Sequence, residues 1–353
     1  MSITQVLHEA RLHEMRAVAF AGDTPVALFH DSEMIARGPR LGTQVEAILR
    51  DRPDGLDGGF CETGTGERVF VRFARKAAPP LGTRLVIEIV SEARGAKVAR
   101  GRVLSGQPAP REIAPFEAWR GWIGAQVPAE AAEGAEQFER IDEAFESALS
   151  PSVTLPGGGR LTVSGTPALT ALDIDTAGRD ARGGRARAAR EINLQAAVSA
   201  ADQLCLRGIG GLCVLDCVAP VPKSAGAEIK AAFLDRFRRI SPRNAAALAP
   251  SPFGLMEISL AWAECPIGEV LGEADVVRKA PVGLALDGLR ILEREAGRAP
   301  SVALTLAMPE AACMAADSLL GGVESLEAGL SGRLGPRIAI KPSPNGRMEV
   351  TRQ

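Results

Sequence analysis

The sequence predicts a multidomain chain of mixed class, with a small all-β unit, then an α/β unit, then a small α+β unit. Three observations predict this. Short apolar alternations run from about Arg16 to Leu104, helical periodicities alternate with strands beyond Val153, and 353 residues suffice for about two ordinary domains. Lys+Arg 41 against Asp+Glu 43 gives a formal net charge of -2, which excludes a chain that is basic throughout. Any polyanion would have to be bound locally. The 46% hydrophobic and 24% charged residues are those of a globular protein, and no apolar run approaches the ~20 residues of a membrane helix. Met1 to Glu14 carries charge and no apolar core, so a secretory signal is not expected and the reading is cytoplasmic.

In order along the chain, Val45-Glu46-Ala47-Ile48-Leu49, Val69 to Phe73 and Leu85 to Val90 alternate with period two between Gly, Pro and Asp turns, as half-buried strands do. Residues 106 to 135 lack clear periodicity and read as a connector, docked by Trp119 and Trp122. Gln137 to Leu149 is an acidic helix with Phe138, Ile141, Phe145 and Leu149 on one stripe. Val153-Thr154-Leu155, the Pro156 to Gly159 turn and Arg160 to Val163 read as a hairpin, and Ala168 to Ile174 as a further strand. A helix with Leu194, Ala197, Ala201 and Leu204 inward stops at Gly208, and Leu212 to Leu215 is a buried strand ending in Asp216. Ala225 to Ile240 is a second amphipathic helix. From about Leu284 the pattern gives a helix, a strand at Val302 to Leu306, a helix and a final hairpin through Ile338-Ala339-Ile340.

The six cysteines form no CxxC pair and read as small buried apolar residues, so no disulfide framework or zinc knuckle is indicated. Only three histidines exist, His8, His13 and His30, which excludes a His-centred site in the body of the chain. Two carboxylate positions stand out because each ends an apolar strand. These are Leu172-Asp173-Ile174-Asp175 and Val214-Leu215-Asp216. Asp173 and Asp175 share one side of their strand, and Asp216 could face them from a neighbour. Converging carboxylates with no Lys or His between them demand a cation, for which Mg²⁺ is the natural oxygen-liganded candidate. The alternative is that one aspartate caps a loop and another is a surface charge. Five Arg face one Asp between Arg179 and Arg190, and six basic residues face two acids between Lys223 and Arg243. Such a cationic surface suits a phosphodiester, and it also occurs as plain solvated surface. In Glu67 to Phe73 the period of two places Arg68, Phe70 and Arg72 opposite Val69, Val71 and Phe73. An outward Phe between two Arg is a stacking platform for single-stranded bases, of the kind OB-folds use, unless both faces are covered and Phe70 is core.

Taken together, these residues resemble the bacterial ribonuclease E/G endoribonucleases. The resemblance is carried by Leu155-Pro156-Gly157-Gly158-Gly159, Ala168 to Asp175, Ile192-Asn193-Leu194-Gln195-Ala196-Ala197, Leu206 to Asp216 and Phe253-Gly254-Leu255-Met256-Glu257-Ile258. The 43-position interval from Asp173 to Asp216 agrees with that family's two metal-binding aspartates. The resemblance implies an N-terminal segment of the catalytic core at 1–36, an OB-fold RNA-binding domain at 37–104, a connector and helix at 105–150, an α/β metal-dependent nuclease subdomain at 151–280 and a small α+β domain at 281–353. Phe60 and Phe70 match its RNA-stacking phenylalanines, and Arg94-Gly95-Ala96-Lys97 is similar to its basic turn. Together with Arg68 and Arg72 they form the expected RNA-binding set.

The activity implied is Mg²⁺-dependent hydrolysis of single-stranded RNA, with Asp173, Asp216 and Asp175 as catalytic residues, the first two of them metal ligands, and 5′-phosphate and 3′-hydroxyl products. A noncatalytic RNA-binding relative is the alternative. The chain also departs from the family. Asp175 stands where the family has Asn, and residues 105 to 150 contain no 5′-monophosphate-sensing motif. Leu260 and Trp262 replace a basic pair, and Pro252 stands where a basic residue is common. Cys265-Pro266-Ile267-Gly268 keeps one cysteine of the zinc-sharing pair, so zinc is not expected and a homodimer would lack the zinc link.

Overall fold

The computed structural model describes residues 3–73, 78–106, 109–177, 184–273, 276–335 and 337–352. The chain separates into two compact units. One comprises residues 1–7, 17–29 and 37–267, the other 8–16, 30–36 and 268–353.

Strands β1 (Gln5–Ala10), β2 (Met15–Ala21) and β3 (Thr24–Asp31) form a sheet in the order β3-β2-β1, and a short later strand at Ala129–Ala131 joins it beside β1. Then β4 (Gln44–Asp51), β5 (Gly59–Thr63), β6 (Arg68–Val71), β7 (Arg84–Ser91) and β8 (Ala99–Val103) close a five-stranded barrel of order β4-β5-β6-β8-β7. Closure follows from the alternation. Ala47, Leu49, Cys61, Val69, Val71, Ile87, Ile89 and Ala99 all point inward and fill the barrel. Register shifts at Leu49/Asp51 and Ile89/Ser91 supply the bends that a closing sheet needs.

The connector is more ordered than its sequence suggests. It holds α1 (Pro115–Trp122) and β9 (Ala129–Ala131). Pro115 starts α1 at a position where no helical N–H is needed. As expected, Trp119 docks it: the ring is buried, with its centroid 5.6 Å from that of Phe29. Helix α2 (Ala135–Leu149) follows, burying Ile141 and Phe145.

The site is carried by a six-stranded sheet of order β10-β11-β12-β13-β15-β14. Its strands are β10 (Ser152–Thr154), β11 (Arg160–Gly165), β12 (Thr170–Asp175), β13 (Gly211–Asp216), β14 (Ala245–Ala247) and β15 (Leu255–Leu260). Helix α3 (Arg185–Leu206) is the crossover that makes β12 and β13 parallel, and α4 (Lys223–Ile240) leads on towards β14. The two helices pack with the sheet's Leu172, Ile174, Cys213, Leu215, Met256 and Ile258 in one core. Ala196, Ala197, Ala200 and Ala201 are fully buried, and their small side chains let α3 lie close to its neighbours. The opposite sheet face stays open, as the exposed–buried alternation of β15 shows.

The second unit contains α5 (Ile267–Leu271) from Gly268 onward, the short pair β16 (Gly272–Glu273) and β17 (Val276–Lys279), α6 (Pro281–Arg298), β18 (Leu304–Met308), α7 (Glu310–Leu319), α8 (Val323–Leu334), β19 (Ile338–Pro342) and β20 (Glu349–Arg352). The expected final hairpin is not one. β18 lies between the last two strands, parallel to β19 and antiparallel to β20. This unit buries an ionic cluster: Glu14 takes hydrogen bonds from Arg290 at 2.5 Å and from His30 at 3.0 Å, while Glu9 meets Arg16 and Arg294. Burial alone would raise the Glu14 carboxyl, yet the Arg290 charge, the His30 hydrogen bond and Arg16 hold it well below the usual carboxylate range. Among the described residues, no helix is long and apolar enough to cross a membrane.

Candidate nucleic-acid interface and carboxylate pair

Parallel pairing sets the centre of the site. β12 and β13 align Leu172 with Leu215 and Asp173 with Asp216. The leucines are buried and the aspartates exposed, so alternation puts both carboxylates on the open face. Neighbouring strands lie about 5 Å apart, so two residues 43 positions apart in sequence become side-by-side carboxylates. The row continues to Thr162, paired with Asp173, and Leu255, paired with Asp216.

Asp175 is exposed on the same strand, and its Oδ1 accepts the Ala177 N–H at 2.9 Å, a loop-capping contact. Among the described residues, no three His, Cys, Asp or Glu side chains gather as a metal cage. The Asp173–Asp216 pair therefore stands as a two-carboxylate donor set, which fits a hard cation such as Mg²⁺ that retains several waters. Cys217, next in sequence, adds no soft ligand. Burial, with the Asp216 charge beside it, pushes its thiol up to about 12.

Two devices fix the end of β13. Asn193, buried on α3, donates from Nδ2 to the Val218 carbonyl at 3.0 Å and accepts the Val218 N–H at Oδ1 at 2.8 Å. Gly254, at φ +90°, lets its carbonyl take the Cys217 N–H at 3.0 Å, and a Cβ there would stand 2.7 Å from the Cys217 oxygen. The same turn displays Phe253, which is 84% exposed. A cleft of about 860 Å³ opens between the start of α3 and residues 218–222. Arg185 and Arg187 lie on it, no acid among the described residues lines it, and Arg190 pairs with Glu228. Of the Arg-rich loop, Arg179 and Arg182 lie outside the described residues.

On the barrel, Phe60 and Phe70 are cross-strand partners, half-buried, with ring centroids 5.3 Å apart at 63°. The Arg68 guanidinium lies 4.4 Å from the Phe60 ring centroid. Arg72 and Lys97 are exposed, and all of these residues line one groove of about 930 Å³. Arg100, paired with Phe70 across β6 and β8, belongs to the same wall. Sequence reading missed it, although the Ala99-Arg100-Gly101-Arg102 alternation was the available signal. Arg94 also lines the groove, but it is only 8% exposed and its guanidinium lies 3.8 Å over the Trp262 ring. The structure thus brings Phe60, Phe70, Arg68, Arg72 and Lys97 together on the barrel, and Asp173 with Asp216 on the sheet.

Comparison with known proteins gives a consistent answer. Residues 127–261 match the sequence model of the ribonuclease E/G family. Ribonuclease E of Haemophilus influenzae is 35% identical over 166 residues, covering 44% of this chain and 17% of that protein. Ribonuclease E of Escherichia coli is 36% identical over 134 residues, covering 37% and 12%. Ribonuclease E of Buchnera aphidicola subsp. Acyrthosiphon pisum is 28% identical over 218 residues, covering 58% and 23%. The chain spans less than a quarter of the length of these relatives. The segment matched by the family model contains both registered aspartates, the α3 crossover and β15, and through it residues 127–261 are similar to the ribonuclease E/G family.

Proposed function

We propose that the chain is an Mg²⁺-dependent endoribonuclease acting on single-stranded RNA in RNA processing or decay. The observation that carries the reading is the registered Asp173–Asp216 pair on an open sheet face. The barrel, whose strand order and groove suit the OB-type domain expected at 37–104, would hold the strand by base stacking on Phe60 and Phe70. Arg68, Arg72, Lys97 and Arg100 would neutralise phosphates, and Arg94 would act from within the groove wall.

Asp173 and Asp216 would hold the Mg²⁺, which when bound supplies Lewis-acid polarisation of the scissile phosphate. The remaining chemistry belongs to the chain and to water. Asn193 keeps the segment after Asp216 in place, and Asp175 orders the loop after β12. Water attacks phosphorus, the P–O3′ bond breaks and the 3′ oxygen takes a proton, leaving a 5′-phosphate and a 3′-hydroxyl. No protein nucleophile is required, consistent with five of the six cysteines being buried thiols. A cytoplasmic setting and a homodimer without a zinc link complete the proposal. The test is cleavage of a short fluorescent single-stranded RNA. Mg²⁺ should give products ending in 3′-hydroxyl, EDTA should stop the reaction, and cleavage unaffected by EDTA would refute the reading.

A further inference from the structure

We propose that Trp262 is a positioning residue that clasps the wall of the barrel groove to the carboxylate-bearing sheet, and so fixes which phosphate is cut relative to the bases stacked on Phe60 and Phe70. This rests on the nuclease reading above. Trp262 lies two residues beyond β15, and its indole packs on the backbone at the entry to β13. A Cβ on Gly210 would stand 2.8 Å from the ring's Cδ2, and one on Gly211 3.0 Å from its Cζ2. Only glycines leave room for the ring there.

The same indole carries the barrel. The Arg94 guanidinium lies 3.8 Å from its ring centroid, and Arg94 opens a tight turn closed by two backbone hydrogen bonds with Lys97, at 3.0 and 2.8 Å. That turn is a wall of the groove, through Arg94, Ala96 and Lys97. Glu92 doubles the connection. Its N–H donates to the Ala263 carbonyl at 2.8 Å, and its carboxylate accepts the Cys265 N–H at 3.1 Å while also binding Arg40 and the Leu41 N–H at 3.0 Å each.

The groove wall is therefore bolted to the start of β13, and the other end of that strand is Asp216, about 17 Å away at the rise of a strand. A stacking site and a hydrolytic site held at one spacing select one phosphate. If they were linked loosely, each would still work alone, but the cut would wander.

The experiment uses the full chain and a 5′-labelled single-stranded RNA in which two adjacent bases sit in an otherwise abasic strand, with cuts mapped to the nucleotide. The wild type and Trp262→Phe, which keeps an aromatic face for Arg94, should cut one dominant phosphate. Trp262→Leu keeps apolar bulk on the glycines but offers no ring face, so its cuts should spread over several phosphates while a dinucleotide is hydrolysed at the wild-type rate. A single sharp cut at the wild-type phosphate by Trp262→Leu would overturn the inference. Absence of any cleavage by the wild type would instead refute the nuclease reading. Hydrogen exchange across residues 92–98 then decides the clasp by itself: protection lost in Trp262→Leu and kept in Trp262→Phe supports it, and unchanged protection in both overturns it.

Discussion

Truncating Phe70 to alanine isolates the barrel's part in the account. Phe70 is half-buried on the groove side of β6, while the core-facing Val69 and Val71 beside it are fully buried. The change therefore leaves the barrel interior intact. It removes one stacking face and strips Phe60 of its edge-on partner 5.3 Å away. A stacked base contributes about 1–3 kcal/mol by alanine substitution. At 1.4 kcal/mol per tenfold, the dissociation constant for single-stranded RNA should rise roughly 5- to 150-fold. Loss of the aromatic pair should cost the fold only about 0.5–1.5 kcal/mol, so the variant remains folded. The assay is fluorescence anisotropy of a labelled RNA in EDTA, so that binding is read without cleavage. Affinity unchanged within twofold, in a variant whose circular dichroism matches the wild type, would refute the stacking argument.

Further outcomes follow from other parts of the site. Asp173→Asn or Asp216→Asn should each remove several kcal/mol of charge stabilisation, more than about a hundredfold in cleavage rate, with RNA affinity in EDTA unchanged; gel assays with Mg²⁺ check this. Asn193→Leu should strand the Val218 N–H and carbonyl, costing roughly 1–3 kcal/mol of stability in urea melts and raising the Mg²⁺ concentration needed for cleavage. Lys97→Ala should lower the slope of log affinity against log salt by about 0.7 if it contacts one phosphate of a single strand, measured by anisotropy across a salt series. Burial raises the Glu92 carboxyl, but Arg37, Arg40 and the Leu41 and Cys265 N–H groups together hold it below its ordinary value of 4.5. Its stabilisation is therefore complete above that value and lost as the pH falls through the lower folded one. Thermal melts from pH 6 to 2 should show a loss that Glu92→Gln lacks.

Much of this was legible in the sequence where one face of an element is buried. The barrel strands betray themselves by period two, because Val69 and Val71 must enter the core while Phe70 cannot. The Asp173–Asp216 pair was harder. Each aspartate visibly ends an apolar strand, so the pattern allowed Asp216 to face Asp173 from a neighbour, but their side-by-side register depends on the 22-residue α3 crossover and is not written in either strand. Arg94 shows the opposite failure. An Arg beside a Gly in a basic turn reads as solvent-facing, and its burial depends on an indole 168 positions later that itself needs Gly210 and Gly211. The last strands misled because Asn345-Gly346 is a hairpin-like turn signal, whereas β18, some 30 positions earlier, fills the space between them. Helix α1 escaped because eight residues give barely two turns of periodicity.

Asp173 and Asp216 together are expected to hold one divalent ion, and Mn²⁺ titration followed by electron paramagnetic resonance tests this without any RNA. The wild type should bind one ion at a site for which Mg²⁺ competes, and both Asp173→Asn and Asp216→Asn should lose it. Retention of that ion by either variant, with unchanged affinity, would contradict the account.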